Sequence, residues 1–196
     1  KDVFNDDSIQ AVVIATPVPS HFELAHEAIL AGKDVLVEKP MTLSLEDAER
    51  LVAAAREHGR ILMVGHLLEY HPCVVSMKEL LESGELGKPY YMYSQRLNLG
   101  RIRKDENALW SFAPHDISII LCLLKKMPMS VNAQGKAHFK DGIEDVSWLS
   151  LNFDDNLIAF LHHSWLDPNK IRKMTISNLE KLNGYHVTFI MEQKNK

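Results

Sequence analysis

The sequence predicts an α/β chain: half of a doubly wound parallel sheet, followed by an α+β region whose open sheet is mostly antiparallel. Three observations carry this. Short apolar runs at Ala11–Thr16, Asp34–Val37 and Arg60–Gly65 are each followed by a helical pattern, the rhythm of parallel βαβ crossovers. Glycines at Gly32, Gly59 and Gly84 close the intervening helices. After Gly87 the rhythm changes to longer β-rich segments around a single helix. The expected division is therefore 1–86 and 87–196.

Ala11-Val-Val-Ile-Ala-Thr16 is β-branched at its centre, as a parallel strand buried on both faces should be. Pro17 and Pro19 stop it. Ser20 then reads as the N-cap of a helix from about His21 to Ala31, with Glu23 completing a capping box. Ser44 caps a second helix that presents Leu45, Ala48, Leu51, Val52 and Ala55 on one face. A third helix is expected over Pro72 to Glu82. Further along, Tyr90 to Leu99 is a strand, Phe112 to Leu124 a helix, and Val131 to Phe139, Asp145 to Phe153 and Asn156 to Trp165 are strands. Asp154-Asp155-Asn156 is a tight hairpin signal. Lys170 to Ser177 and Tyr185 to Met191 read as the last strands.

A chain of 196 residues with 46% hydrophobic content can bury a substantial core. A net charge of −4 gives no global attraction to nucleic acid or to an anionic membrane. No apolar stretch approaches the ~20 residues that span a bilayer. Cys73 and Cys122 are the only cysteines, which points to the reducing cytoplasm and to no disulfide framework. No zinc site is expected on them: His71 lies near Cys73, but nothing comparable surrounds Cys122.

Chemistry is expected first at Glu38-Lys39-Pro40, immediately after the second strand. Open α/β sheets bind ligands at the carboxyl ends of their strands, and a lysine there can have its basicity tuned by its neighbours. The same residues also fit a surface ion pair on a loop. His115 lies on a helix face with Phe112, Ile119 and Leu123, with Asp116 beside it. It fits a satisfied core histidine and a general base alike. His21 could face a ribose or phosphate, or simply start its helix. Arg96, Asn98, Arg101 and Arg103 could clamp a diphosphate or carboxylate, or form a solvated loop. His162 and His163 alternate along a strand, so they face opposite sides. No Gly-x-Gly occurs anywhere, so the phosphate-binding loop of a dinucleotide site is not in this chain.

In order along the chain, Ala15-Thr16-Pro17, Ser20-His21, Gly32-Lys33-Asp34-Val35-Leu36-Val37-Glu38-Lys39-Pro40, Val64-Gly65-His66 and Leu86-Gly87 resemble the glucose–fructose oxidoreductase and inositol dehydrogenase (Gfo/Idh/MocA) family. Glu106 to Asp116 and His163 to Lys170 resemble its branch that oxidises C3 of UDP-N-acetylglucosamine-type sugars. The resemblance implies a Rossmann domain followed by an α/β domain whose open sheet binds substrate and mediates homo-oligomerisation. It implies NAD or NADP as cofactor, and a sugar or nucleotide sugar as substrate. Lys39 and His115 become the catalytic pair. One withdraws the proton of the C3 hydroxyl as hydride passes to the nicotinamide, and the other orients the oxygen. Thr16, Pro17, His21, Glu38 and Pro40 would line the cofactor, while Arg96, Asn98 and Arg101 would face substrate. The chain departs from the family pattern at Ser111, where many members carry an aspartate, and at Glu69, where an arginine is common. The missing glycine loop reads as an N-terminal truncation. The rival reading is a non-catalytic paralogue, serving as an oligomer partner or sugar-binding module.

Overall fold

The computed structural model describes residues 3–100, 102–103, 106–177 and 186–190. Two compact units result, Lys1–His66 and Leu67–Lys196.

In the first unit, β1 (Ala11–Ile14), β2 (Asp34–Val37) and β3 (Leu62–Val64) form a parallel sheet in the order β1-β2-β3. The crossovers are α1 (His21–Leu30) and α2 (Leu45–Glu57). Both helices pack on the same face: Ala25, Ile29, Leu51 and Ala55 share a core with Ile14, Val35 and Val37. On the opposite face Val13, Leu36 and Met63 stand in register, with Val13 and Met63 exposed. Val13 is 71% exposed, so β1 is not buried on both faces as its composition predicts. Gly32 and Gly59 end the two helices at positive φ, the left-handed region that glycine enters without a Cβ clash.

Ser44 caps α2 as expected, its hydroxyl accepting the Asp47 N–H at 3.1 Å. Ser20 does not cap α1. A 3-10 turn over Val18–Ser20 leads directly into the helix, and Ser20 is itself helical at φ −94, ψ −4. Its hydroxyl instead donates to the Pro17 carbonyl and meets Thr16 Oγ1 at 2.7 Å.

The second unit begins with a 3-10 turn at Leu67–Tyr70 and α3 (Pro72–Glu82). The division falls before α3, not at residue 86 as expected, because Val74 and Met77 are buried with Met92, Ile119 and Ile120. After β4 (Tyr91–Leu97) comes α4 (Ala108–Leu124), and then β5 (Ser130–Lys136), β6 (Val146–Asn152), β7 (Ile158–Ser164), β8 (Ile171–Ser177) and β9 (His186–Ile190). The sheet order is β5-β6-β7-β4-β8-β9. Every pairing is antiparallel except β4 with β7. Asp155 and Asn156 both take positive φ in the β6–β7 turn, as a primed hairpin turn requires.

Helix α4 starts earlier than predicted. The Asn107 side chain accepts the Trp110 N–H at 3.0 Å, a cap, and Pro114 is carried inside the helix rather than near its start. Alternation along β4 sorts its two faces. Met92, Ser94 and Arg96 are buried on one side, while Tyr91 is exposed on the other. Trp148 and Phe160, at 47% and 44% exposure, share the open face with Tyr91.

Candidate functional site

In the first unit the candidate residues gather at the carboxyl ends of β1 and β2. Thr16 and Pro17 are exposed, and Glu38, Lys39 and Pro40 are half-buried. The turn is set by pairings that start in the sheet: the Glu38 N–H donates to the Ile14 carbonyl, and Gly65 N–H to the Val37 carbonyl. Glu38 also bends back to accept the Lys39 N–H at 3.3 Å. The Lys39–Pro40 peptide is cis. At Gly65 a Cβ would lie 3.2 Å from the Glu38 carboxylate, so a bare backbone lets Glu38 settle against the end of β3.

His21 behaves differently from the expectation that it lines a cofactor. It is 1% exposed. Its Nδ1 lies 2.9 Å from the Pro40 carbonyl oxygen and its Nε2 2.8 Å from that of Thr16. Both nitrogens face the chain's own backbone carbonyls; a neutral imidazole donates to one of them at a time, so the ring packs between the two strand-end turns and turns neither nitrogen outward.

In the second unit His115 sits half-buried on α4. The residue after it, Asp116, is fully buried and centres a polar network. Arg96 of β4 donates to Asp116 from Nε at 3.1 and 3.2 Å and from Nη2 at 2.6 Å. His163 of β7 brings Nε2 to 3.1 Å from the same carboxylate, with Nδ1 3.5 Å from Ser147 Oγ. Burial pushes the Asp116 carboxyl up, but the Arg96 guanidinium and His163 outweigh it and hold it at about 2. Arg96 is 5% exposed. It therefore pairs inward with Asp116 of α4, where the resemblance implies an arginine turned toward substrate.

Asn98 stays at the rim, accepting from Arg172 Nη2 at 3.0 Å. Arg101 lies outside the described residues. Ser111 is buried. His163 and Arg172 were not singled out as site residues, yet a signal existed. His163 shares the parity of Ala159 and Leu161, and Arg172 that of Met174 and Ile176, so each strand's apolar residues mark the helix-facing side.

Sequence and structure comparisons agree with this architecture. Residues 1–66 match the GFO/IDH/MocA oxidoreductase model described as an NAD-binding Rossmann fold. Residues 74–177 match the GFO/IDH/MocA C-terminal domain. The chain is 32% identical to UDP-N-acetylglucosamine 3-dehydrogenase of Acidithiobacillus ferrooxidans, over 86% of this chain and 52% of that protein. It is 31% identical to scyllo-inositol 2-dehydrogenase (NAD(+)) of Bacillus subtilis, over 69% of this chain and 41% of that protein. The crystal structure of GenD2 from gentamicin A biosynthesis, in complex with NAD, superposes with a TM-score of 0.86 at 27% identity, covering 97% of this chain and 57% of that one. The chain thus spans about half the length of the curated relatives it matches. No helix among the described residues is long and apolar enough to cross a membrane. With both of its domains matched in sequence and its two units folded as they require, the chain belongs to the Gfo/Idh/MocA oxidoreductase family.

Proposed function

We propose that this chain serves NAD(P)-dependent oxidation of a sugar hydroxyl, at C3 of a UDP-N-acetylhexosamine or its uronate. The observation that carries this reading is the Glu38-Lys39-Pro40 turn at the carboxyl end of β2, where α/β sheets place ligand chemistry, in a chain of an NAD-binding oxidoreductase family. The similarity to a UDP-N-acetylglucosamine 3-dehydrogenase favours the sugar class.

The residues present fit the nicotinamide side of a cofactor. Exposed Thr16 and Pro17, with half-buried Glu38, Lys39 and Pro40, offer both backbone and charged groups at the strand ends. They do not supply a glycine loop for the pyrophosphate. A bound nicotinamide would supply the hydride acceptor. Of the chain's own residues, Lys39 at the end of β2 and His115 on α4 are the acid–base candidates, an amine and an imidazole each suited to taking a hydroxyl proton or orienting its oxygen. His21 contributes by fixing the turn that carries Lys39. The open sheet face, with Tyr91, Trp148 and Phe160 exposed, is the surface a second copy would cover. The two free cysteines suit the cytoplasm.

The test is NADH binding to this chain by fluorescence titration, with and without UDP-N-acetylglucosamine, followed by turnover. Saturable binding is expected, and Lys39→Met and His115→Ala should each lower turnover by roughly 10²-fold or more. No binding at millimolar NADH would favour the non-catalytic reading instead.

A further inference from the structure

Two arginines stand directly opposite one another on the helix-facing side of the second sheet, Arg96 on β4 and Arg172 on β8. Their surroundings differ. Arg96 has its charge matched by the buried Asp116 carboxylate. Arg172 has no carboxylate within ion-pair distance among the described residues. Its bonds go to neutral acceptors: Nη1 donates to the Leu97 carbonyl at 3.0 Å and the Ile171 carbonyl at 2.9 Å, and Nη2 to Asn98 Oδ1 at 3.0 Å. A guanidinium carries five N–H groups, so Nε–H and one N–H of Nη2 have no described acceptor. The group also lies over the Phe112 ring, with Cζ 5.2 Å from its centroid. Phe112 is three residues before His115 on α4, hence on the same helical face.

We propose that Arg172 is a substrate-recognition residue that receives an anionic oxygen, either the carboxylate of a sugar acid or a phosphate of a nucleotide sugar. This rests on the nucleotide-sugar reading above and narrows it. The backbone carbonyls and Asn98 hold the guanidinium plane in place, and Phe112 supports one face of it. A pre-oriented fork of this kind suits a carboxylate or phosphate better than a neutral hydroxyl. Partial burial and the neighbouring Arg96 charge both disfavour the cation and lower the Arg172 pKa from its ordinary value, against a smaller opposing pull from Asp116. An incoming anion relieves that cost.

Calorimetric titration of the whole chain tests this, with UDP-N-acetylglucosamine, which carries phosphates only, and with its uronate, which carries phosphates and a carboxylate. R172Q should bind at least one of them about tenfold more weakly than wild type, measured at a temperature where both proteins are fully folded. Weakening confined to the uronate assigns the carboxylate; equal weakening with both assigns a phosphate. If R172Q does not fold, R172K, which keeps the charge but loses the fork, should show the same pattern at smaller size. Unaltered affinity for both sugars would overturn the role of Arg172 and leave the proposed function standing. Absence of binding by the wild type would overturn the nucleotide-sugar reading and this role with it.

Discussion

In the first unit, the strand-end turns are joined through backbone: one buried imidazole spans the carbonyls of Thr16 and Pro40. In the second, the helix bearing His115 is joined to its sheet through charge, with Asp116 taking three contacts from Arg96 and one from His163. The partners of His21 are carbonyls that remain neutral if the ring is removed. The partners of Asp116 include a cation that does not. A desolvated ion pair is costly to assemble and more costly to break, because the surviving charge stays buried. A backbone bridge fails more gently. The two devices therefore predict different sizes and pH dependences of damage.

The largest effect should come from Asp116→Ala, which strands Arg96 at 5% exposure and should destabilise the second unit by about 3–5 kcal/mol. Replacing both partners, Arg96→Met with Asp116→Leu, should cost less than the single change. Denaturant titration of all three proteins checks this, and a mild Asp116→Ala phenotype would erase the contrast between the units. Acid sharpens the same point. The folded pKa of Asp116 is depressed from 3.8 to about 2, so its stabilisation is complete above pH 3.8 and is lost as pH falls toward 2. The loss is on the order of 2 kcal/mol. Asp116→Asn should flatten the acid limb of a stability–pH curve; an identical limb in the variant would locate the acid sensitivity elsewhere.

His21→Phe should come next, at roughly 1–3 kcal/mol, the cost of leaving a buried acceptor without its donor. It leaves no charge stranded. His21→Gln, which keeps an N–H, should recover part of the loss. Because the bridge fixes the Lys39-bearing turn, NADH affinity in the fluorescence titration should fall in His21→Phe more than the stability change alone would give. Stability equal to wild type in His21→Phe would mean the two turns are held by the sheet alone.

Much of this was legible before any coordinates. Short apolar runs closed by glycine placed β1, α1, β2, α2 and β3 in order, and α3 fell on its predicted residues, because local pattern and packing agree there. Pairings that depend on register were not legible. Arg96 meets Asp116, twenty residues along the chain, only because α4 packs on the sheet that contains β4, a long-range pairing that no local pattern specifies. Strand parity does mark its side: Arg96 shares the face of Met92, which is buried. The pattern starts α4 at Phe112, which would put Pro114 in the first turn where proline is tolerated, whereas the Asn107 cap lies upstream of both.

The smallest predicted effect separates two serines that look alike in sequence. Both precede an apolar helix with an acidic residue three positions on, and both read as caps. Ser44 is extended at φ −132, ψ 152 and accepts the Asp47 N–H, so Ser44→Ala should cost about 1 kcal/mol. Ser20 is already helical and gives its hydroxyl to the Pro17 carbonyl. The N–H groups of the first turn of α1 therefore do not depend on it, and Ser20→Ala should cost less than Ser44→Ala. Its consequence should appear instead at Thr16, whose hydroxyl loses its partner in the turn proposed to line the cofactor. Paired denaturation curves decide the matter. If the Ser20 variant proves the less stable, capping by sequence pattern outweighs the backbone geometry of the 3-10 entry, and the first unit is governed by its helix ends more than by its strand-end turns.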